Sequence, residues 1–161
     1  MGILANLKHR WEGLDYPFLI HSTGKLSFNE ISEHKAVDLS DIESGDVVAL
    51  IGDFDPQSIL TLLQLIDKKV IFVPLTIDTR SQHEYFLESA LVDFVIEGDL
   101  VQRIEHGKSH KLINQLRCKE KAGLVLFSTG TTGRPKAILH DLSLFLQRFE
   151  TPRPTLKTIN F

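Results

Sequence analysis

The residues best suited to chemistry are gathered in one short stretch, Ser128-Thr-Gly-Thr-Thr-Gly-Arg-Pro-Lys136. Its nine positions hold four hydroxyl side chains, two glycines and two cations. Ser128, Thr129, Thr131 and Thr132 can donate hydrogen bonds to phosphate oxygens. Gly130 and Gly133 let the backbone reach φ > 0 and approach an anion with no Cβ in the way. Successive backbone N–H groups in such a turn form a concave anion site. Lys136 adds a mobile positive charge and Arg134 a second. Pro135 stiffens the exit and pushes Arg134 towards an extended conformation. The plainer reading is a solvent-exposed Ser/Thr/Gly turn between two strands, since these residue types also favour ordinary turns.

The spacing excludes two better-known nucleotide loops. A Walker loop needs four residues between its glycines, followed by Gly-Lys-Ser/Thr. Here only Thr131 and Thr132 separate Gly130 from Gly133, and Ala137 follows Lys136. No Gly-x-Gly-x-x-Gly dinucleotide fingerprint occurs. Elsewhere the candidates are thinner. His106 and His110 are four apart, but Gly107 lies between them and no third ligand is evident. Asp53 and Asp55 could hold a cation, although helix capping by Asp55 explains the local pattern more simply. Cys118 is the lone cysteine, so an internal disulfide is impossible and nothing nearby marks its thiol as activated. No catalytic residue and no metal ligand are assigned within the chain.

These groups must be positioned by the surrounding elements. Val47-Val-Ala-Leu-Ile is a continuous apolar run and reads as a buried strand. Asp55 caps a following helix, Pro56 to Lys68, with Pro56 where a missing N–H costs nothing. Val70 to Val73 is a second strand, stopped by Pro74. Gln82 to Leu91 is a helix with Ser81 as its cap, and Phe94 to Ile96 a third strand ended by Gly98. Leu112 to Leu116 suggests a short helix. Leu124 to Phe127 is a fourth strand running into the loop, then Ala137 to Leu139 forms a strand and Ser143 to Phe149 a helix. Upstream, Ile3 to Trp11 reads as a helix and Phe18 to Phe28 as a hairpin with Gly24 at its turn. Ser27 and Glu30 make a capping box. Strands alternating with amphipathic helices predict an α/β fold with a largely parallel sheet flanked by helices.

The 161 residues suffice for one domain with a hydrophobic core. With 42% apolar and 24% charged residues, the composition is that of an ordinary globular protein. The net charge of -3 lacks the basic excess of nucleic-acid binders. No signal peptide is evident and no apolar run approaches a membrane span, so a cytoplasmic protein is expected.

The ordered loop closely resembles the signature of the AMP-binding, adenylate-forming superfamily, which typically reads Thr/Ser-Ser/Thr-Gly-Thr/Ser-Thr-Gly-x-Pro-Lys. Gly45-Asp-Val-Val-Ala-Leu-Ile and Val70-Ile-Phe-Val-Pro-Leu are similar to the family's early strands, so the resemblance covers roughly Gly45 to Phe149. It implies a truncated N-terminal subdomain of that fold over residues 1–161. It also implies that Ser128, Thr129, Gly130, Thr131, Thr132, Gly133 and Lys136 contact the β- and γ-phosphates of ATP. Members use ATP with Mg2+ to convert a carboxylic acid to acyl-AMP. Most then pass the acyl group to coenzyme A or a phosphopantetheine carrier protein. The chain departs from the pattern at Ala137, where the family usually has glycine. His140 is one step out of register with the family's later histidine, so it inherits no role.

Leu156, Ile159 and Phe161 read as the opening of a further strand, and the family's later motifs are not found. The parent is therefore expected to be an acyl-CoA synthetase-like ligase of which this chain is an N-terminal piece, inactive alone. The alternative is a catalytically dead nucleotide- or anion-binding module with an interaction role.

Overall fold

The computed structural model describes residues 2–14, 16–21, 24–128 and 133–147. Helix α1 (Ile3–Trp11) precedes a hairpin of β1 (Leu19–His21) and β2 (Gly24–Leu26), then α2 (Phe28–Ser32). Gly24 opens β2 opposite His21, so it lies just past the turn where the sequence reading put it. The capping box forms as read: Ser27 Oγ accepts from the Glu30 N–H at 3.3 Å, and the Glu30 carboxylate accepts from the Ser27 N–H at 2.7 Å. Trp11, Phe18 and Phe28 meet edge-to-face in sequence, with ring centroids 4.9 and 5.0 Å apart. This chain of rings ties α1, the hairpin and α2 together.

The main body alternates as the apolar runs dictate: β3 (Val47–Ile51), α3 (Pro56–Asp67), β4 (Ile71–Leu75), a 3₁₀ turn (Ile77–Gln82), α4 (His83–Ala90) and β5 (Phe94–Glu97). It continues with β6 (Leu100–Arg103), α5 (Lys111–Cys118), β7 (Gly123–Ser128), β8 (Lys136–Asp141) and α6 (Leu142–Gln147). The sheet has six strands in the order β6-β5-β3-β4-β7-β8. The four central strands are mutually parallel, and β6 and β8 run antiparallel at the edges. The expected largely parallel α/β sheet is therefore present.

Each strand divides its residues between two buried faces, as the period of two requires. Val48, Leu50, Phe72, Phe94 and Ile96 pack with Leu65 of α3 and Leu142 of α6. Val47, Ala49, Ile51, Ile71 and Val73 pack with Phe86 of α4 and Ile113 and Leu116 of α5. Burial on both faces explains why β3 reads as an uninterrupted apolar run. In α3 the buried positions are Leu60, Thr61, Leu63 and Leu65. Leu62 and Ile66 are partly buried against the same core as Leu65, and α1 and α2 also contact α3.

Pro74 does not stop β4; it lies within it, opposite Leu50. Leu75 accepts from the Gly52 N–H and Ile71 donates to the Asp46 carbonyl, so the odd-numbered residues of β4 bond towards β3. Pro74 therefore faces the β7 side, where strand pairing ends at Phe72 and Leu124. Its missing N–H deprives no partner in the sheet.

Asp55 caps α3 as read, accepting from the Ser58 N–H at 2.9 Å and the Ser58 hydroxyl at 2.6 Å. Burial pushes this carboxyl up, but the hydrogen bonds from Ser58 outweigh it and hold Asp55 below the usual aspartate value. A carboxyl lowered by folding contributes stability above its unfolded pKa, and that stability is lost as pH falls through the folded value. Asp55→Ala is expected to cost about 1 kcal/mol in urea unfolding at neutral pH. The difference from the parent should shrink as pH falls below about 4. An unchanged midpoint at neutral pH would show that the cap contributes nothing.

Candidate functional site

Strands β7 and β8 form an antiparallel hairpin in which Ser128 stands opposite Lys136. The stretch between them is the Ser/Thr/Gly loop. Because β7 runs parallel to β3, β4 and β5, the loop leaves from the carboxyl edge of the parallel strands. Open α/β sheets bind ligands along that edge. Thr129, Gly130, Thr131 and Thr132 lie outside the described residues. Ser128, Gly133 and Lys136 are described at the two ends of the loop.

Lys136 is exposed and opens β8. Among the described residues it has no ion-pair partner, whereas Lys35, Lys69, Lys108 and Lys121 each sit against a carboxylate. An unpaired ammonium on a strand end is available to an external anion. Gly133 is exposed. Among the described residues no atom outside its chain neighbours stands within 4 Å of where its Cβ would be.

The loop exit is held by α4. The Tyr85 hydroxyl donates to the Pro135 carbonyl at 2.7 Å. The Arg134 guanidinium carbon lies 5.5 Å from the centroid of the Tyr85 ring, a cation–π arrangement. The neighbouring Phe86 stacks on Phe127 at 4.1 Å between centroids, one residue before Ser128. Both ends of the loop are thus fixed to one turn of α4. A tyrosine on a helix carries no signal for a partner fifty positions away.

Other elements around the carboxyl edge are tied down locally. Arg80 of the 3₁₀ turn pairs with Glu97 at the end of β5. The helix read from Gln82 with Ser81 as its cap begins instead at His83, out of the 3₁₀ turn and without a side-chain cap. His83 is buried and its Nε2 lies 3.0 Å from the Thr76 carbonyl. Asp55 is occupied by Ser58. The two spaced histidines do not converge on a metal. His110 Nδ1 accepts from the Leu112 N–H as the cap of α5, while His106 Nε2 faces Asp93 and the Leu91 carbonyl. Among the described residues no three His, Cys, Asp or Glu side chains are grouped to hold a metal ion.

The fold recurs in solved proteins: it is that of the N-terminal portion of adenylate-forming enzymes. The chain is similar to the N-terminal subdomain of Klebsiella oxytoca NpsA in complex with 3-hydroxybenzoyl-AMSN, with a TM-score of 0.56 and 21% identity. That match covers 84% of this chain and 39% of the NpsA chain. It is also similar to VinN in complex with L-aspartate, with a TM-score of 0.55 and 15% identity over 84% of this chain and 46% of VinN. The chain thus spans less than half the length of these structures. No protein-family model matches the sequence, and no curated protein matches it. Among the described residues no helix is long and apolar enough to cross a membrane.

Proposed function

We propose that the chain is the phosphate-binding part of an ATP-dependent carboxylate-activating ligase. In that reaction a carboxylate oxygen attacks the α-phosphorus of ATP, and the α–β bridging bond breaks. The products are acyl-AMP and pyrophosphate. The acyl group then passes to the thiol of coenzyme A or of a carrier protein, releasing AMP. One observation carries this reading: Lys136, exposed and without an ion-pair partner among the described residues, ends a Ser/Thr/Gly loop at the carboxyl edge of a sheet with the adenylate-forming fold.

In this reading Ser128, Thr129, Thr131, Thr132 and the backbone N–H groups at Gly130 and Gly133 receive the β- and γ-phosphate oxygens. Lys136 neutralises charge that grows on the departing pyrophosphate. Fixed donors and a cation aimed at a charged leaving group supply electrostatic stabilisation, the main work in phosphoryl chemistry. The exposed Gly133, and Lys136 with no ion-pair partner among the described residues, suit a polyphosphate. Magnesium accompanying the nucleotide would offset part of the polyphosphate charge, and no residue of this chain is assigned to hold it. The chain alone binds phosphate without completing the reaction, and the parent ligase works in the cytoplasm.

The test is a titration of the chain with inorganic pyrophosphate, followed by backbone amide NMR. Saturable shifts are expected at Gly130, Gly133 and Lys136, with small changes around His106 and α5. Absence of saturable shifts in the loop would remove the proposal.

A further inference from the structure

We infer that Tyr85 is a positioning residue for the phosphate loop. It holds the exit at Arg134 and Pro135 and so places the peptide that leads into Lys136. The inference rests on the phosphate-binding reading of the loop.

The geometry separates two contacts made by one side chain. The hydroxyl fixes a carbonyl, Pro135 O, at 2.7 Å. The ring engages the Arg134 guanidinium at 5.5 Å. Pro135 has no N–H and little φ freedom, so anchoring its carbonyl constrains the peptide that leads directly into Lys136. Arg134 and Gly133 are exposed and have no other described partner, and Pro135 is half-buried. The anchor itself does not float. Tyr85 lies in α4 beside Phe86, which is 5% exposed and stacked on Phe127. The helix therefore registers the outgoing arm of the loop against the incoming one. A loop held in one arrangement needs less ordering on binding than a loop released at one end. If the anchored state is the competent one, freeing it lowers the competent fraction and raises the apparent Kd in proportion.

The experiment compares the intact chain with Tyr85→Phe, Tyr85→Leu and Lys136→Ala. Tyr85→Phe keeps the ring over Arg134 and deletes only the hydrogen bond to Pro135; Tyr85→Leu deletes both contacts. Amide hydrogen exchange at Gly133 and Arg134 is read without ligand, and pyrophosphate affinity by calorimetry. Tyr85→Phe is expected to speed exchange at both amides and raise the pyrophosphate Kd about fivefold, with Tyr85→Leu larger. Exchange unchanged in both Tyr85 variants overturns the inference whatever the affinity does. Faster exchange with an unchanged pyrophosphate Kd also overturns it, and if Lys136→Ala still weakens binding the phosphate reading survives. If the parent chain binds no pyrophosphate, the phosphate reading and the positioning role fall together.

Discussion

Lys136→Ala is expected to weaken pyrophosphate binding roughly ten- to a hundredfold while leaving the melting temperature of the chain unchanged. The size follows from the chemistry. A hydrogen bond to a charged partner contributes about 1.5–3 kcal/mol, and each 1.4 kcal/mol is a factor of about ten in affinity. The separation from stability follows from the position. Lys136 is exposed and has no ion-pair partner among the described residues, so truncation removes little packing, and such surface changes stay within about 0.5 kcal/mol. Lys136→Arg should retain most of the affinity if charge dominates, and affinity should fall with added salt. Calorimetric titration with pyrophosphate reads all three. An alanine variant within twofold of the parent would mean that Lys136 meets no phosphate.

The largest stability effect is expected at Asp93, which is not in the loop. Its Oδ2 accepts from the Val47 N–H at 2.8 Å and from Arg117 Nη2 at 2.7 Å, and its Oδ1 lies 3.2 Å from His106 Nε2. Arg117 also donates through Nε to the Gly45 carbonyl at 2.8 Å. One carboxylate therefore joins the starts of β3 and β5, helix α5 and the segment after β6. Val47 is fully buried, so without Asp93 its N–H is desolvated and unpaired, and Arg117 loses its counter-charge. Removing one partner of such a cluster costs far more than a surface pair, and Asp93→Ala is expected to lose about 3 kcal/mol. Asp93→Asn keeps an acceptor for Val47 and should lose less. Burial chiefly, with the charge of Asp93 adding to it, raises the Asp46 carboxyl, so either substitution should bring Asp46 back towards its ordinary value. Urea unfolding of the three proteins checks the order. Equal losses for alanine and asparagine would show that the charge, and not the Val47 acceptor, dominates.

Much of this protein is decided by short stretches of sequence. A cap is a contact three residues long, so Ser27 with Glu30 and Asp55 with Ser58 are legible from spacing alone. A strand buried on both faces must be apolar throughout, so Val47 to Ile51 could be assigned without knowing its neighbours. The loop's donors and cations are consecutive, so a phosphate-binding reading could be proposed from their spacing alone; Thr129 to Thr132 lie outside the described residues. Strand β6 escaped because it is a short edge strand whose side chains are mostly exposed; it has no buried face to impose alternation. What makes it a strand is pairing with β5 through the tight turn at Gly98, where φ is +57°.

Residue order fixes the hydroxyls, glycines and lysine of the loop and the strand that delivers them. Only the tertiary structure decides that β7 lies beside β4, which puts the loop at the carboxyl edge, and that Tyr85 reaches Pro135 fifty positions later. The reason is physical. Caps and alternation depend on backbone geometry repeated over a few residues, while strand order and the Tyr85 anchor depend on which apolar faces find each other when the whole chain packs.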